Sequence, residues 1–240
     1  IRDRYMVIES KGMLLSTKEA SERLDVSARR VRELAAKGTL ESVGDGSRLY
    51  VTEESVRRFQ SRIRRPGRLF SPRIAFAALY VLSGEEPGWL KAAEKYRLKR
   101  KLCMMDVPRL LELCSRRAST HDFWCRDSRL NRVSQSIRIS SATGGLAEKF
   151  DLTESANVEG YIPEEVLPDL ITWAKLRSDF RPTNVRLHVT SFTPPGEGHM
   201  PIGVCAADLT ESLDVRERSA GERMIGRLLE RFKQVIAAKE

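Results

Sequence analysis

The stretch that decides the fold of this chain reads LLSTKEASERLDVSARRVRELAAKGTL over residues 14–40 and ESVGDGSRLYVT over residues 41–52. It predicts two short helices joined by a tight turn. Ser16, with Glu19 three residues further on, forms the pattern of a capping box at the start of the first helix. Ser27 is suited to cap the second helix. Helix, tight turn and helix is the arrangement that places a second helix in the major groove of DNA.

The second predicted helix is rich in cations. Val31 and Leu34 are expected to face inward, so that the arginines beside them face solvent. Arginine is suited to two-point contact with guanine, and it also binds phosphate. We therefore predict a DNA-binding surface in which the helix residues Arg29, Arg30, Arg32 and Lys37 are joined by Ser16, Thr17 and Ser27 at the helix starts.

A hairpin, or wing, is predicted after the second helix. Gly38 ends that helix in the position that tolerates a left-handed backbone. Strands over 40–43 and 48–51 flank a Gly-Asp-Gly-Ser turn, a strong hairpin signal. We expect Arg48 to touch the DNA backbone or minor groove and Tyr50 to brace it. A third helix should follow, capped by Thr52, with Val56 and Phe59 pointing inward.

This ordered set of residues resembles the winged helix-turn-helix of excisionase and MerR-like DNA-binding proteins. The resemblance covers about a fifth of the chain and implies double-stranded DNA as the partner. The alternative is a helix-turn-helix used for protein contacts, with charges that form a solvated face. The segments that carry the resemblance are STKEASERL at 16–24, VS at 26–27, VR at 31–32, GTL at 38–40, VG at 43–44 and RLYV at 48–51.

The charge of the chain also favours a polyanionic partner. Its 240 residues carry a formal net charge of +9, with a pI near 9.6. The net charge is +6 over residues 1–68, +7 over 89–132 and −3 over 133–240. No apolar run reaches the ~18 residues of a membrane span, and no signal peptide is apparent, so we expect a cytoplasmic protein without a membrane contact. Four cysteines without a Cys-x-x-Cys pair are expected to be reduced, and no metal site is expected.

A domain boundary is predicted at Pro66-Gly67, since this pair breaks regular structure. Residues 1–66 would form the winged helix-turn-helix, and residues 67–240 a mixed α+β domain of helices around a small sheet. Alternation over 185–189 gives the clearest strand, with His188 at an outward position. A short strand is expected over 202–205, and a final helix is expected to begin at Asp208.

Five segments of the second domain carry a resemblance to a known family. They are FAALYVLSG at 76–84, RLKRKL at 97–102, VEGY at 158–161, NVRLHV at 184–189 and ADLTESLDVRERSAG at 207–221. Together they resemble the region that follows the helix-turn-helix in AbiEi-like antitoxins of type IV toxin–antitoxin systems. The resemblance implies an autoregulating antitoxin, whose partner would be a nucleotidyltransferase-like toxin that it counteracts without forming a stable complex.

No pattern in the sequence indicates catalysis. There is no glycine-rich phosphate loop, and the three histidines are far apart. Asp208 and Glu211 are interpreted as dipole partners in the first turns of a helix. We therefore predict no catalytic residue and no cofactor. The function that we predict is that of a sequence-specific DNA-binding transcriptional regulator. Two alternatives remain: a phage-type excisionase or architectural protein that bends DNA, and a DNA-targeted enzyme with a cryptic site in the second domain.

Overall fold

The chain divides into two compact units, residues 1–67 and 68–240. A computed structural model of the protein describes residues 14–24, 26–36, 38–44, 49–60 and 68–238. The boundary predicted at Pro66-Gly67 and the hairpin turn predicted over 44–47 fall largely or wholly outside the described residues. The two units are described separately below.

The described residues of the first unit form three helices and a small antiparallel sheet. Its elements are β1 (Leu14–Ser16), α1 (Thr17–Leu24), α2 (Ala28–Ala36), β2 (Ser42–Gly44), β3 (Leu49–Thr52) and α3 (Glu53–Gln60). The strand order is β1-β3-β2, so β3 lies at the centre of the sheet. The hairpin strands β2 and β3 were predicted from the sequence, whereas the pairing of Leu15 with Val51 through β1 was not.

A small apolar core holds this first unit together. The sequence placed three of its members correctly, namely Val31, Leu34 and Val56, because apolar residues at helical spacing share one face of a helix. Phe59, also predicted to face inward, is only partly buried. The buried core side chains are Leu15, Ala20, Leu24, Val31, Leu34, Leu40, Val51 and Val56.

The predicted caps form in the structure. The Ser16 backbone N–H and hydroxyl each donate to the Glu19 carboxylate at 2.8 Å, and the Glu19 N–H donates to the Ser16 hydroxyl at 3.2 Å. These bonds lower the pKa of Glu19. The Ser27 hydroxyl accepts from the N–H of Arg30 at 3.2 Å. Gly38 has φ of +68°, the left-handed conformation expected at the end of α2.

Replacing Ser16 by alanine is expected to destabilise the start of α1 by about 1 kcal/mol, because the hydroxyl that accepts from the Glu19 N–H and donates to the Glu19 carboxylate is lost. Faster hydrogen exchange at the Glu19 amide measures the effect directly. Ser42→Ala, an exposed serine in β2, is the matched control and should leave exchange in α1 unchanged. Equal exchange at Glu19 in both variants would contradict the capping assignment.

The second unit has a helical layer built around a largely buried helix. Every residue of α4 (Pro72–Leu82) from Ala75 onward is buried, as its almost continuous apolar sequence requires. None of the helices in the described ranges is both long and apolar enough to cross a membrane. The helices around α4 are α5 (Ala92–Cys103), α6 (Val107–Cys114), α9 (Ile202–Leu209) and α10 (Val215–Ala237).

The other layers of the second unit are a four-stranded sheet and two covering helices. The strand order is β4-β7-β6-β5, with β6 and β7 parallel and the outer pairs antiparallel. One face of the sheet packs against α7 and α8, and the other faces the helical layer. These elements are β4 (Ser119–Phe123), α7 (Asp127–Gln135), β5 (Arg138–Ile139), β6 (Val158–Pro163), α8 (Leu167–Ala174) and β7 (Val185–Thr190). The mixed helix and sheet architecture predicted from the sequence is confirmed.

Two expectations near the end of the chain were wrong. The strand expected over 202–205 is the first turn of α9, and Asp208 lies near the end of that helix instead of opening the next one. A short apolar run cannot be assigned to strand or buried helix by its pattern alone. Gly203 explains the outcome, since a Cβ there would meet the Leu79 carbonyl oxygen at 2.7 Å, so glycine lets α9 pack closely on α4.

A buried polar network joins the helical layer to the sheet. The Arg117 guanidinium, just after α6, donates to the Asp208 carboxylate at 2.5 and 3.1 Å. The Tyr161 hydroxyl on β6 donates to the same carboxylate at 2.7 Å, and the Ser140 hydroxyl also donates to it. All four residues are buried. Asp208, interpreted from the sequence as a dipole partner in the first turns of a helix, is therefore the centre of an internal charge network.

His188 belongs to the same network, and the expectation that it faces solvent was wrong. The sequence correctly separated the two faces of β7 by their alternating residues. The face that carries His188, however, is covered by the helical layer. His188 is 2% exposed, its Nε2 lies 2.8 Å from the Glu159 carboxylate, and its Nδ1 lies 3.2 Å from the Thr120 hydroxyl. Burial lowers the pKa of His188, but the charges of Asp208 and Glu159 outweigh it and raise that pKa above its usual value.

The raised pKa makes the stability of the second unit depend on pH. A protonated His188 stabilises the folded state fully below its unfolded pKa of about 6.5, and this contribution is lost as pH rises through the folded pKa. The free energy of unfolding should therefore fall as pH rises above about 6.5, by no more than about 1.4 kcal/mol per pH unit. Urea unfolding across this range measures the slope. His188→Gln should abolish it, and His121→Gln, at an exposed histidine, should retain it.

Candidate nucleic-acid interface

The exposed side of α2 carries the predicted arginines. Val31 and Leu34 bury the opposite side, so the arginines face solvent. The Arg29 side chain is 87% exposed and that of Arg30 is 48% exposed; Arg32 is also exposed. A nine-residue helix, capped at its start and held by its apolar side, presents these cations on a rigid support.

Glu33 shares this surface and was not considered in the sequence interpretation. The Arg29 Nε donates to one Glu33 carboxylate oxygen at 3.2 Å, and the Arg30 guanidinium donates to the other at 3.1 Å. The spacings of four and three residues along a helix would have signalled both pairs. Because such exposed pairs contribute little energy, the arginines can leave Glu33 for a phosphate or a base at small cost.

The start of α1 lies beside the central strand of the first unit. Ser16 is paired in register with Tyr50 of β3, so two predicted contact residues lie side by side. The Ser16 hydroxyl is engaged in the capping box, and Thr17 is half-buried in the first turn. Tyr50 is half-buried and is also paired with Val43 of β2. The contact roles of these residues stay predictions.

Two predicted contact residues, Lys37 and Arg48, lie outside the described residues. Other cations of the first unit serve its structure. Arg23 and Arg57 donate to the Glu53 carboxylate at 2.5 and 2.9 Å, and these contacts lower the pKa of Glu53. Among the described helices of this unit, α2 carries three exposed arginines, whereas α1 carries the exposed cations Lys18 and Arg23.

Two short helices around a turn, a capped second helix and a following hairpin define a helix-turn-helix domain of the winged kind. Residues 14–64 match the family model of a helix-turn-helix domain. No curated protein and no solved structure matches the chain at a significant level. The comparisons therefore identify the first unit and give no support to the resemblance between the second unit and AbiEi-like antitoxins.

Proposed function

We propose that the chain is a transcriptional regulator that binds a specific sequence of double-stranded DNA through its first unit. The observation that carries the proposal is the exposed set of Arg29, Arg30 and Arg32 on the second helix of a helix-turn-helix domain. The excess of positive charge supports the same partner, since phosphate contacts dominate affinity for DNA.

In this proposal α2 enters the major groove. Arg29 and Arg32 lie nearest the centre of its exposed side and are suited to two-point contact with guanine O6 and N7. Arg30, at the flank, is suited to a phosphate, and Glu33 holds the arginines until DNA is bound. Lys37 and Arg48 are assigned to phosphates, with Tyr50 at the base of the hairpin. Phosphate contacts fix the register on the duplex, and base contacts select the sequence.

Binding to the DNA upstream of its own gene is the test of this function. Fluorescence anisotropy with that duplex and with a scrambled duplex of equal length should show tighter binding to the first. Affinity should fall steeply with salt, with a slope of about −0.9 for each phosphate neutralised, because counterions are released. Equal affinity for both duplexes at every salt concentration would exclude sequence-specific regulation.

The finer role that we propose is that of an autoregulating antitoxin of a type IV pair. Its support is the resemblance of the second-domain segments to AbiEi-like antitoxins, and the proposal requires no catalytic step. Co-expression of the full chain should relieve growth arrest caused by a toxin encoded beside it. If an active neighbouring toxin stays fully toxic beside well-expressed chain, the antitoxin role is wrong. DNA bending together with a neighbouring integrase gene would instead favour an excisionase-like role.

A further inference from the structure

Helix α5 of the second unit carries a concentration of positive charge that the proposed function does not use. It contains five lysines and arginines but one carboxylate, that of Glu94. Leu98 and Leu102 bury its apolar side in the core of the unit. The opposite side of α5 therefore faces solvent on a rigid support, and its charge indicates an anionic partner.

Two arginines on this exposed side have no carboxylate partner. Arg97 and Arg100 lie three residues apart, so their side chains are neighbours on the helix surface. Among the described residues, Arg97 donates from its Nε to the backbone carbonyl of Ala93 at 3.2 Å, and Arg100 has no hydrogen-bond partner. In α2, by contrast, two of the three arginines are paired with Glu33. An anion can therefore bind Arg97 and Arg100 without displacing a carboxylate.

The carboxylates beside α5 are neutralised by other cations. Glu94 accepts from the Arg73 guanidinium at 2.9 and 3.0 Å, and this contact lowers the pKa of Glu94 to about 2. Glu86 binds Lys95 at 3.2 Å and Lys99 at 2.9 Å along one flank of the helix. Since both carboxylates have cationic partners of their own, the exposed side of α5 keeps the charge of its two arginines.

Tyr96 adds a hydroxyl group to the same side of α5. The residue is 66% exposed and lies four residues before Arg100, so the two side chains are neighbours. Tyrosine hydroxyls and arginine guanidinium groups are both among the donors with which proteins bind DNA phosphates. We call Tyr96, Arg97 and Arg100 together the α5 surface.

The shape of the α5 surface favours one kind of anion. It is the convex side of a helix, so it does not enclose a small anion as a pocket does. The apolar side of α5 is buried, so the helix has no apolar face with which to enter a membrane surface. The backbone of a duplex is an extended row of phosphate charges, which a convex basic surface can contact at several points. Duplex DNA is therefore the anionic partner that this surface fits best.

We propose that the α5 surface binds the phosphate backbone of double-stranded DNA without regard to base sequence. The second unit then adds affinity, while the first unit selects the sequence. Because both units belong to one chain, the contact becomes intramolecular once the first unit has bound, so even a weak contact raises the affinity. The proposal rests on the proposed function in one respect, that duplex DNA is the partner, and it does not require α2 to be the recognition helix.

The double substitution Arg97→Ala, Arg100→Ala in the full chain tests this proposal by anisotropy titration over a series of salt concentrations. With the scrambled duplex, the salt slope should become shallower by about 2, since two phosphate contacts are lost. The Kd at about 0.1 M salt should rise at least tenfold for the scrambled and the upstream duplex alike, because each contact contributes a slope of about −0.9. Alanine is the best helix former, so the urea unfolding midpoint of this variant should match that of the natural chain.

Two further variants separate a phosphate contact from loss of charge or of structure. Arg97→Lys, Arg100→Lys should keep most of the affinity, since lysine also binds phosphate as a point charge. Arg223→Ala, Arg227→Ala removes two charges from α10, where Glu222 and Glu230 are also exposed, and should leave the salt slope nearly unchanged.

The outcomes distinguish this proposal from the function proposed above. If the natural chain does not prefer the upstream duplex but the α5 variant still weakens binding to both duplexes, sequence-specific regulation fails and the α5 surface stands. If the preference is present and the α5 variant has an unchanged Kd and salt slope, the α5 proposal is overturned and an acidic protein becomes the partner that this surface fits. An equal loss of slope in the α10 variant would also overturn it.

Discussion

Replacing Asp208 by asparagine is expected to lower the free energy of unfolding of the second unit by about 3–5 kcal/mol. The Arg117 side chain is 3% exposed and that of Asp208 is fully buried, so the guanidinium would lose its buried counter-charge and could not turn to water. Burial raises the pKa of Asp208, but the charges of His188 and Arg117 outweigh it and hold that pKa below its usual value. The carboxylate is therefore ionised in the folded protein and neutralises Arg117.

The control for this prediction is Glu211→Gln, which removes the second carboxylate bound by the same arginine. Arg117 donates to Glu211 at 2.7 Å, but the Glu211 side chain is 43% exposed. Water can replace that contact, so the loss should stay below about 1 kcal/mol. Urea unfolding followed by tryptophan fluorescence measures both variants, since all three tryptophans lie in the second unit. Losses of equal size would show that burial does not determine the strength of these contacts.

The double substitution Arg29→Ala, Arg32→Ala is expected to weaken binding to the preferred DNA site by about 1–3 kcal/mol for each base contact removed. The two side chains are exposed on α2, and no cap or core contact depends on them, so the fold should persist. Affinity for scrambled DNA should fall less, and the difference between the two duplexes should shrink. Anisotropy titrations at one fixed salt concentration give both quantities.

A charge-matched control distinguishes the loss of a direct DNA contact from a weaker general attraction between a basic protein and DNA. Arg223→Ala, Arg227→Ala removes the same two charges from the exposed side of α10 in the second unit. This variant should retain the preference for the specific duplex. If it loses as much affinity and preference as the α2 variant, Arg29 and Arg32 do not form the recognition surface.

The first unit could be predicted from the sequence because its signals are local. The capping box of Ser16 and Glu19, the cap at Ser27 and the left-handed Gly38 each depend on residues within one helical turn. The added strand β1 could not be predicted, since Leu15 pairs with Val51 far along the chain. The ion pairs of Glu33 with Arg29 and Arg30 could also have been predicted, because they follow from helical spacing alone.

The second unit is less predictable because its important contacts join residues that are far apart along the chain. Alternation assigned the two faces of β7, but only the packed structure shows that the His188 face is covered. Arg117 looked like one cation among many in a basic segment, although its partner lies 91 residues away. A polar cavity lined by Asp122, Glu159 and Arg186 is built from three strands, a turn and a helix start, so no single stretch of sequence carries its signature.

The span of the Arg117 contact has a consequence for synthesis of the chain. The contacts of the helix-turn-helix unit lie within its own short segment, so this unit can fold while the rest is still being translated. The second unit cannot do the same, because a nascent chain that stops before Asp208 has a guanidinium with no buried carboxylate to receive it. Helices α9 and α10, which close the helical layer, are also still missing at that point. We therefore expect the second unit to fold late and as a whole, after the helix-turn-helix unit has formed on the ribosome.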